Sequence, residues 1–185
     1  EMSVAITLPS GPAFLAAVSA GSPYPAATSR TRLPGSMAES ATRRSLTDPL
    51  TGLPKTRYLF MPLTRELARA ERLQSEISLM VMDLDSFKEI NDNHGHHVGD
   101  RALCEIARVL RTTIRPYDIC VRYAGDEFIV VMSGCGAEEA EEKRNELQRA
   151  IDAVFFEARP GKRVRIGVSI GTAVFPHDGD AYEVL

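Results

Sequence analysis

Several features that define particular protein classes are scarce or missing in this 185-residue sequence. It has no tryptophan, 6% aromatic residues, and three cysteines without Cys-x-x-Cys spacing. An odd number of widely spaced thiols argues against a disulfide framework or a zinc site and favours reduced cysteines in a cytoplasmic protein. No apolar run approaches the roughly 20 residues of a membrane span. A net charge of -3 with both signs interspersed offers no general nucleic-acid or membrane-binding surface.

What is present fits one globular domain with additional segments. Hydrophobic residues make up 44% of the chain and charged residues 25%, as in soluble globular proteins. The sequence opens on Glu1 rather than Met, so we expect a longer protein. Residues 1–35, rich in Ala, Ser, Pro and Gly, are predicted to be a linker or the tail of an upstream sensory domain, and residues 36–47 a connecting helix.

Hydrophobic periodicity beyond residue 48 predicts an α+β domain. Thr56 is a plausible cap for a helix reaching Leu73, and the apolar run 77–82 predicts a central strand buried on both faces. The later predicted elements are a short helix at 86–91, a polar loop at 92–97, a helix ending near 115, a β-hairpin around Gly125, a helix at 136–158 and a strand at 164–174. This order predicts a ferredoxin-like β-α-β-β-α-β core, an antiparallel sheet with helices packed on it.

Two adjacent acidic residues occupy the tip of the predicted hairpin. Gly125 supplies the turn, and Asp126 and Glu127 follow it at the edge of an otherwise apolar pair of strands. A solvated turn is the plain interpretation, because Gly-Asp pairs are common in turns. The alternative is a cation site, since adjacent like charges repel each other and lose hydration when partly buried.

The predicted topology brings a further carboxylate to this tip. The first core strand is expected to be central and to pair with the hairpin strands, so Asp83 at its end becomes a neighbour of Asp126. Carboxylates, with the Leu84 backbone carbonyl, are the hard oxygen ligands that Mg²⁺ prefers, while water and substrate phosphates complete the shell. The combination favours a nucleotide-handling site over the solvated turn.

The segment after the central strand carries groups suited to a nucleotide. Free backbone N–H groups at the start of the short helix suit phosphate oxygens, and Lys88 adds positive charge. Asn91 and Asp100 supply the donors and acceptors that a guanine edge requires. The three histidines between 94 and 97 lack a fourth ligand at zinc spacing, so loop polarity or substrate contact explains them better.

Five motifs carry a family resemblance. They are DPLTGLP (48–54), DLDSFKEIND (83–92), GHHVGD (95–100), RYAGDEF (122–128) and VSIG (168–171). In order and spacing they resemble the GGDEF-domain diguanylate cyclases of bacteria, from about Leu46 onward. The resemblance implies a nucleotidyl-cyclase-like fold and Mg²⁺-dependent (or Mn²⁺-dependent) condensation of two GTP into cyclic di-GMP and pyrophosphate. Each subunit of a homodimer would bring one GTP.

The resemblance also implies roles for individual residues. Asp83, the Leu84 carbonyl and Asp126 resemble the metal ligands. Asp126, with Glu127, resembles the group that helps to deprotonate the attacking 3′-hydroxyl, and Lys88 the residue that steadies charge on the transferring phosphate. The implied substrate contacts are Phe87, Asn91, His96, Asp100 and Arg122.

Arg115 and Asp118 match the family's Arg-x-x-Asp product-inhibition site at its expected offset before the signature. The alternative is a helix-terminal Arg followed by a turn Asp. Two other functions are considered: a non-catalytic receptor that binds cyclic di-GMP or GTP, and a cyclase that uses ATP in part. Asp100 disfavours the second, because adenine has no N1–H donor.

Three departures from the family pattern stand out. Ala124 replaces the first Gly of the signature, which lowers activity if that position requires positive φ or a close backbone approach to GTP. Both acidic residues remain, so we expect activity to be retained. Lys55 stands where the family usually has Asn. Residues 180–185 are expected to be only the start of the family's last helix, so the domain at 48–185 is predicted to lack most of that helix and to turn over poorly.

Overall fold

The computed structural model describes residues 46–159 and 161–178 of the chain. The helices are α1 (Thr56–Leu73), α2 (Phe87–His94), α3 (His96–Thr113) and α4 (Ala137–Asp152). The strands are β1 (Ile77–Asp85), β2 (Ile119–Ala124), β3 (Glu127–Ser133), β4 (Phe155–Arg159), β5 (Lys162–Arg165) and β6 (Gly167–Phe175). The predicted linker at 1–35, nearly all of the predicted connecting helix at 36–47 and the segment 180–185 lie outside the described residues. None of the described helices is both long and apolar enough to cross a membrane.

Four antiparallel strands form the central sheet in the order β2-β3-β1-β6. β1 is central, as predicted, because its side chains are almost entirely apolar and buried as far as Met82. The prediction that β1 pairs with both hairpin strands was wrong, since β6 takes the second neighbouring position and β2 lies at the edge. The chain order and strand order together confirm the ferredoxin-like α+β core.

Helices cover both faces of this sheet. α3 and α4 pack on the face that buries Met80, Met82 and Phe128. α1 covers the opposite face with apolar residues at three-to-four spacing, which are Leu59, Leu63, Leu67 and Ala70. The sheet therefore has an apolar layer on each side, and an exposed polar surface can form only where a helix stops covering it.

β1 changes from core to exposed surface at its carboxyl end. Successive side chains alternate between the two faces of a strand. Residues 77, 79 and 81 belong to the core under α1, and Asp83 and Asp85 continue the same row as exposed residues. Leu84, on the other face, remains buried against α3 and α4. One face thus stays apolar to the end of the strand while the other becomes acidic.

The predicted polar loop at 92–97 is helical instead. α2 continues to His94 and α3 begins at His96, with only Gly95, at a φ of 85°, between them. Most of the polar residues that indicated a loop are exposed on these two helices, and His94 is half-buried. A single glycine makes the turn because its backbone adopts positive φ without steric cost.

The predicted helix at 136–158 and strand at 164–174 were both wrong where they approach each other. α4 ends at Asp152, and β4 pairs with β5 as a separate two-stranded sheet. Bulky side chains of high β propensity override the helical charge pattern there, and one of them, Phe156, packs into the core. The central sheet resumes only at Gly167.

The N-terminus of α1 also differs from the prediction. Thr56 is the first helical residue rather than the cap, and its hydroxyl donates to the Tyr123 carbonyl. Lys55 occupies the cap position with φ -81 and ψ 163, and its side chain makes no capping hydrogen bond within the described residues. The first-turn N–H groups of α1 therefore lack the side-chain acceptor that Asn at this position supplies.

Lys55→Asn should stabilise the domain, because its side-chain oxygen can accept from an N–H of the first turn of α1. We expect the free energy of unfolding to rise by roughly 0.5–1 kcal/mol, measured by urea denaturation. Lys55→Ala removes the same charge without adding an acceptor and should stay within about 0.5 kcal/mol of the wild type. Equal stabilisation by both variants would mean that the lysine charge, rather than the missing cap, is responsible.

Candidate active site

Three polar side chains lie in a row across the end of the sheet. Asp83 of β1 lies directly opposite Glu127 of β3 on one side and Ser169 of β6 on the other. Asp126 occupies the turn beside Glu127. Directly opposed residues of antiparallel strands have Cβ atoms about 4.5–5.5 Å apart. The structure therefore brings Asp83, Asp126 and Glu127 together as the sequence predicted, and we call this group the acidic edge.

Two members of the acidic edge, Asp83 and Glu127, have raised pKa values. Partial loss of hydration is the main cause that raises the pKa of Asp83 above its ordinary value, and the charges of Asp126 and Asp85 add to it. The pKa of Glu127 is raised by the same loss of hydration and by Asp83 and Asp126. Within the described part of the chain, no Lys or Arg forms an ion pair with these acids. Such uncompensated negative charge is what a divalent cation neutralises.

The donor set fits a cation that keeps much of its hydration shell. Among the residues that the structure describes, no three His, Cys, Asp or Glu side chains form a complete metal-binding group. Mg²⁺ in nucleotide sites is held by only one or two carboxylates together with water and phosphates, which matches the acidic edge. Leu84 is 1% exposed, with its side chain in the core, so it can contribute only its backbone carbonyl.

α2 begins directly after the acidic end of β1. Ser86 precedes it in the left-handed conformation at a φ of 53°, and Phe87 and Lys88 are its first residues. Lys88 is exposed and has no ion-pair partner in the described ranges. The first N–H groups of a helix lack intrahelical partners and favour anions. A phosphate bound there would lie next to the acidic edge.

Gly99 is a site residue that sequence reasoning missed. A Cβ at Gly99 would lie 2.1 Å from Asn91 Oδ1 and 3.2 Å from Phe87 Cζ, so α2 packs closely on α3 only because the side chain is absent. The contact places Asn91 beside the residue that precedes Asp100. His96 lies one turn earlier than Asp100 on the same side of α3. The detectable signal was a glycine inside an amphipathic helix, where it costs about 0.5–1 kcal/mol relative to alanine.

The guanidinium of Arg122 is fixed by hydrogen bonds and an ion pair to other residues of the chain. Its Nε and Nη2 donate to the Gly125 carbonyl at 2.8 and 2.6 Å, and its Nη1 pairs with Asp48 Oδ1 at 2.9 Å. Asp48 also accepts from the N–H and the hydroxyl of Thr51. The side chains of Arg122 and Asp48 are only 17% and 15% exposed. This pair joins the turn at 48–54 to the hairpin, a role for Asp48 that the sequence did not reveal, and a substrate contact for Arg122 stays a prediction.

Ala124 introduces no backbone strain. It is the exposed last residue of β2, and it is not among the described residues with positive φ. Gly125 is the residue in the left-handed region, at a φ of 41°. The retained glycine therefore stands where the turn requires one, and Ala124 stands where the backbone conformation does not require glycine.

Arg115 and Asp118 lie at the opposite end of β2 from the acidic edge, about 20 Å away along six strand residues. The Arg115 N–H donates to Asp118 Oδ2 at 2.9 Å, so the turn interpretation describes this backbone. The Arg115 guanidinium pairs with Glu139 of α4 and lies 5.8 Å from the Tyr117 ring. Asp118 Oδ1 is buried without a hydrogen-bond partner among the described residues.

Comparison with known sequences assigns the family. The family model described as diguanylate cyclase, GGDEF domain, matches residues 45–185. The chain belongs to the GGDEF-domain family. It is 38% identical over 137 residues to diguanylate cyclase DgcP of Pseudomonas aeruginosa, covering 74% of this chain and 20% of that protein. It is 34% identical over 138 residues to diguanylate cyclase DosC of Escherichia coli, covering 75% and 30%. The chain thus spans less than a third of the length of these relatives.

Solved GGDEF structures share the fold. The coiled coil and GGDEF domain of DgcB from Caulobacter crescentus, in complex with c-di-GMP, matches with a TM-score of 0.73 at 27% identity, covering 80% of this chain and 78% of that one. Diguanylate cyclase SiaD of Pseudomonas aeruginosa, in complex with its activator SiaC, matches with a TM-score of 0.68 at 31% identity, covering 74% and 52%. These matches confirm the predicted family and fold.

Asp48→Asn should destabilise this GGDEF domain at neutral pH, because it leaves the largely buried Arg122 without its counter-charge. Burial alone would raise the pKa of Asp48, but hydrogen bonds from Thr51 and the pairing with Arg122 outweigh it, so the pKa lies below its ordinary value. We expect a loss of roughly 1.5–3 kcal/mol at pH 7 in urea unfolding. The loss should shrink below about pH 4, as the wild-type carboxylate also protonates.

The matched control is Glu105→Gln, which breaks the exposed pair between Glu105 and Arg108. It should change stability by less than about 1 kcal/mol at any pH. An Asp48→Asn effect of equal size at pH 7 and pH 3.5 would show that the carboxylate charge is not its source.

Proposed function

We propose that this GGDEF domain condenses two molecules of GTP into cyclic di-GMP and pyrophosphate. The observation that carries the proposal is the acidic edge, where Asp83 faces Glu127 beside Asp126. No Lys or Arg side chain of the described residues forms an ion pair with these carboxylates. A partly exposed, uncompensated group of carboxylates at the end of a buried sheet suits metal-assisted chemistry on phosphates. Membership of the GGDEF family supports the same reaction.

Asp83, the Leu84 carbonyl and Asp126 would hold Mg²⁺, or Mn²⁺ in its place. The bound cation would supply positive charge that offsets the negative charge developing on the phosphoryl oxygens. A carboxylate oxygen of Asp126, assisted by Glu127, would accept the proton of the attacking 3′-hydroxyl. Lys88 and the free N–H groups that begin α2 would bind the phosphates, because phosphoryl transfer depends mainly on positioning and charge stabilisation.

Guanine would be bound where α2 packs on α3. The Asp100 carboxylate can accept from both N1–H and the exocyclic amine of guanine, a pattern that adenine does not offer. Asn91 would add an amide donor and acceptor, and His96 and Phe87 further contacts. ATP should therefore fail to compete with GTP.

The reaction supports a homodimer. Cyclic di-GMP contains two equivalent phosphodiester bonds. Each forms when the 3′-hydroxyl of one GTP attacks the α-phosphorus of the other, loses its proton and displaces pyrophosphate. Two copies of the acidic edge related by two-fold symmetry would present the substrates to each other in this reciprocal way. An upstream sensory domain, acting through residues 36–47, would control how the copies meet. Buried thiols such as Cys120, whose pKa burial raises to about 12, suit a domain that works in the cytoplasm.

The deciding experiment incubates the full-length protein with GTP and Mg²⁺ and detects cyclic di-GMP by liquid chromatography. Asp126→Asn should lower turnover by about 10²–10⁴-fold, with an unchanged circular dichroism spectrum. Asp152→Asn, at the exposed end of α4, is the matched control and should retain activity. A dimeric preparation that makes no cyclic di-GMP would contradict the proposed activity.

The turn at Arg115 supports a second role, the binding of cyclic di-GMP. The Arg115 guanidinium suits phosphate or guanine oxygens, and the unpartnered Asp118 Oδ1 suits a guanine N–H. Because the turn lies at the far end of β2 from the acidic edge, a ligand there would not occupy the active site. In an active cyclase this binding would be product inhibition. In an inactive domain it would make the protein a receptor.

Arg115→Ala should abolish cyclic di-GMP binding measured by calorimetry, whereas Glu139→Gln should tighten it. The ligand must compete with Glu139 for the guanidinium, and an ion pair exposed to this degree contributes about 0–1 kcal/mol, equivalent to about fivefold in affinity at most. Arg108→Ala on α3 is the control and should leave binding unchanged. Undiminished binding by Arg115→Ala would place the ligand elsewhere.

A further inference from the structure

Two residues of β6 determine where the Asp85 carboxylate points. Ser169 Oγ donates to Asp85 Oδ1 at 2.7 Å. Gly167 lies directly opposite Asp85 in the ladder between β1 and β6, and a Cβ at Gly167 would lie 2.6 Å from Asp85 Oδ2. Both carboxylate oxygens are therefore turned towards β6. The bare backbone of Gly167 gives one of them room, and Ser169 holds the other.

Asp85 adjoins the acidic edge without belonging to it. Asp83 and Asp85 are two residues apart on β1, so they project from the same face of the sheet. The charge of Asp85 contributes to the raised pKa of Asp83. Ser169 lies directly opposite Asp83, which places its hydroxyl beside the proposed cation site. Released from β6, Asp85 would become an additional carboxylate within reach of that site.

We propose that Ser169 is a positioning residue that holds the Asp85 carboxylate against β6 and out of the ligand shell of the proposed metal site. Asp85 then adds negative charge to the edge while coordination positions stay open for water and phosphate oxygens, which Mg²⁺ requires in nucleotide sites. The inference rests on the proposed function of the same edge. It also assigns a role to the motif at 168–171, which contains none of the proposed catalytic or guanine-binding residues.

The test has two measurements. Mn²⁺ binding to the nucleotide-free chain is followed by the electron paramagnetic resonance signal of free Mn²⁺, and turnover of GTP is measured on the full-length protein. Ser169→Ala should bind Mn²⁺ more tightly, because the released Asp85 joins the ligands. It should also lower kcat by about 10–100-fold, as changes to supporting residues of metal sites do. Gly167→Ala, which displaces the same carboxylate, should reproduce both effects. Ser169→Thr, which keeps the hydroxyl, should retain the Mn²⁺ affinity and the kcat of the wild type.

A double-mutant cycle isolates the role of Asp85. In an Asp85→Asn background, Ser169→Ala should no longer change Mn²⁺ affinity, since no carboxylate remains to be released. Thr172→Ala is the matched control, because Thr172 is an exposed hydroxyl residue of the same strand that lies opposite Met80. Thermal unfolding of each variant identifies any loss of folding.

The outcomes separate this inference from the proposed cyclase activity. A full-length wild-type protein that binds Mn²⁺ but produces no cyclic di-GMP would contradict the activity, while the Mn²⁺ comparison would still decide the role of Ser169. Unchanged or weaker Mn²⁺ binding by folded Ser169→Ala would overturn the inference even if turnover is normal. An effect of Ser169→Ala that persists in the Asp85→Asn background, or no Mn²⁺ binding by the wild type, would overturn it as well.

Discussion

The guanidinium of Arg122 fixes the hairpin turn without neutralising the carboxylates at its tip, Asp126 and Glu127. Repulsion among Asp83, Asp126 and Glu127 opposes the arrangement in which the tip lies beside the end of β1. Arg122 secures the turn through the Gly125 carbonyl, a neutral group, and its charge is matched by Asp48 from outside the hairpin. A cation that secured the same turn by pairing with Asp126 would neutralise the acidic edge. The hairpin is thus held in place without consuming the charge that a metal ion would need.

The position of the acidic edge follows from how the helices cover the sheet. α1 buries one face of β1 as far as residue 81, while the opposite face stays apolar through Leu84. Polar residues in the row of Asp83 and Asp85 therefore become exposed without opening the core. Rigid, fully paired strands then support the exposed carboxylates on one side, and such support is more precise than that of a loop.

Part of this arrangement was predictable from the sequence, because it depends on residues that are close to one another in the chain. The apolar run before Asp83 and the turn residues around Gly125 both predicted strands with acidic ends. The order of the elements then predicted that these two acidic ends lie close together. The contacts that sequence reasoning missed are long-range. The partnership of Asp48 with Arg122 joins residues 74 positions apart, and the hydrogen bond from Ser169 to Asp85 joins residues 84 apart. β4 was missed for a related reason, since cross-strand pairing with β5 overrode a local charge pattern typical of helices. The predicted strand at 164–174 joined the end of β5 to β6, which belong to separate sheets.

The same electrostatics constrains how the proposed dimer can form. Two copies that present their acidic edges to each other bring six carboxylates, and the phosphates of two nucleotides, into one small volume. At physiological ionic strength, screening acts over about 8 Å, so carboxylates at direct contact distances still repel one another. Bound divalent cations would remove much of that repulsion, because each contributes two positive charges between the oxygens. Closure of the proposed dimer should therefore depend on metal-loaded GTP, because the uncompensated carboxylates of two empty half-sites would repel each other.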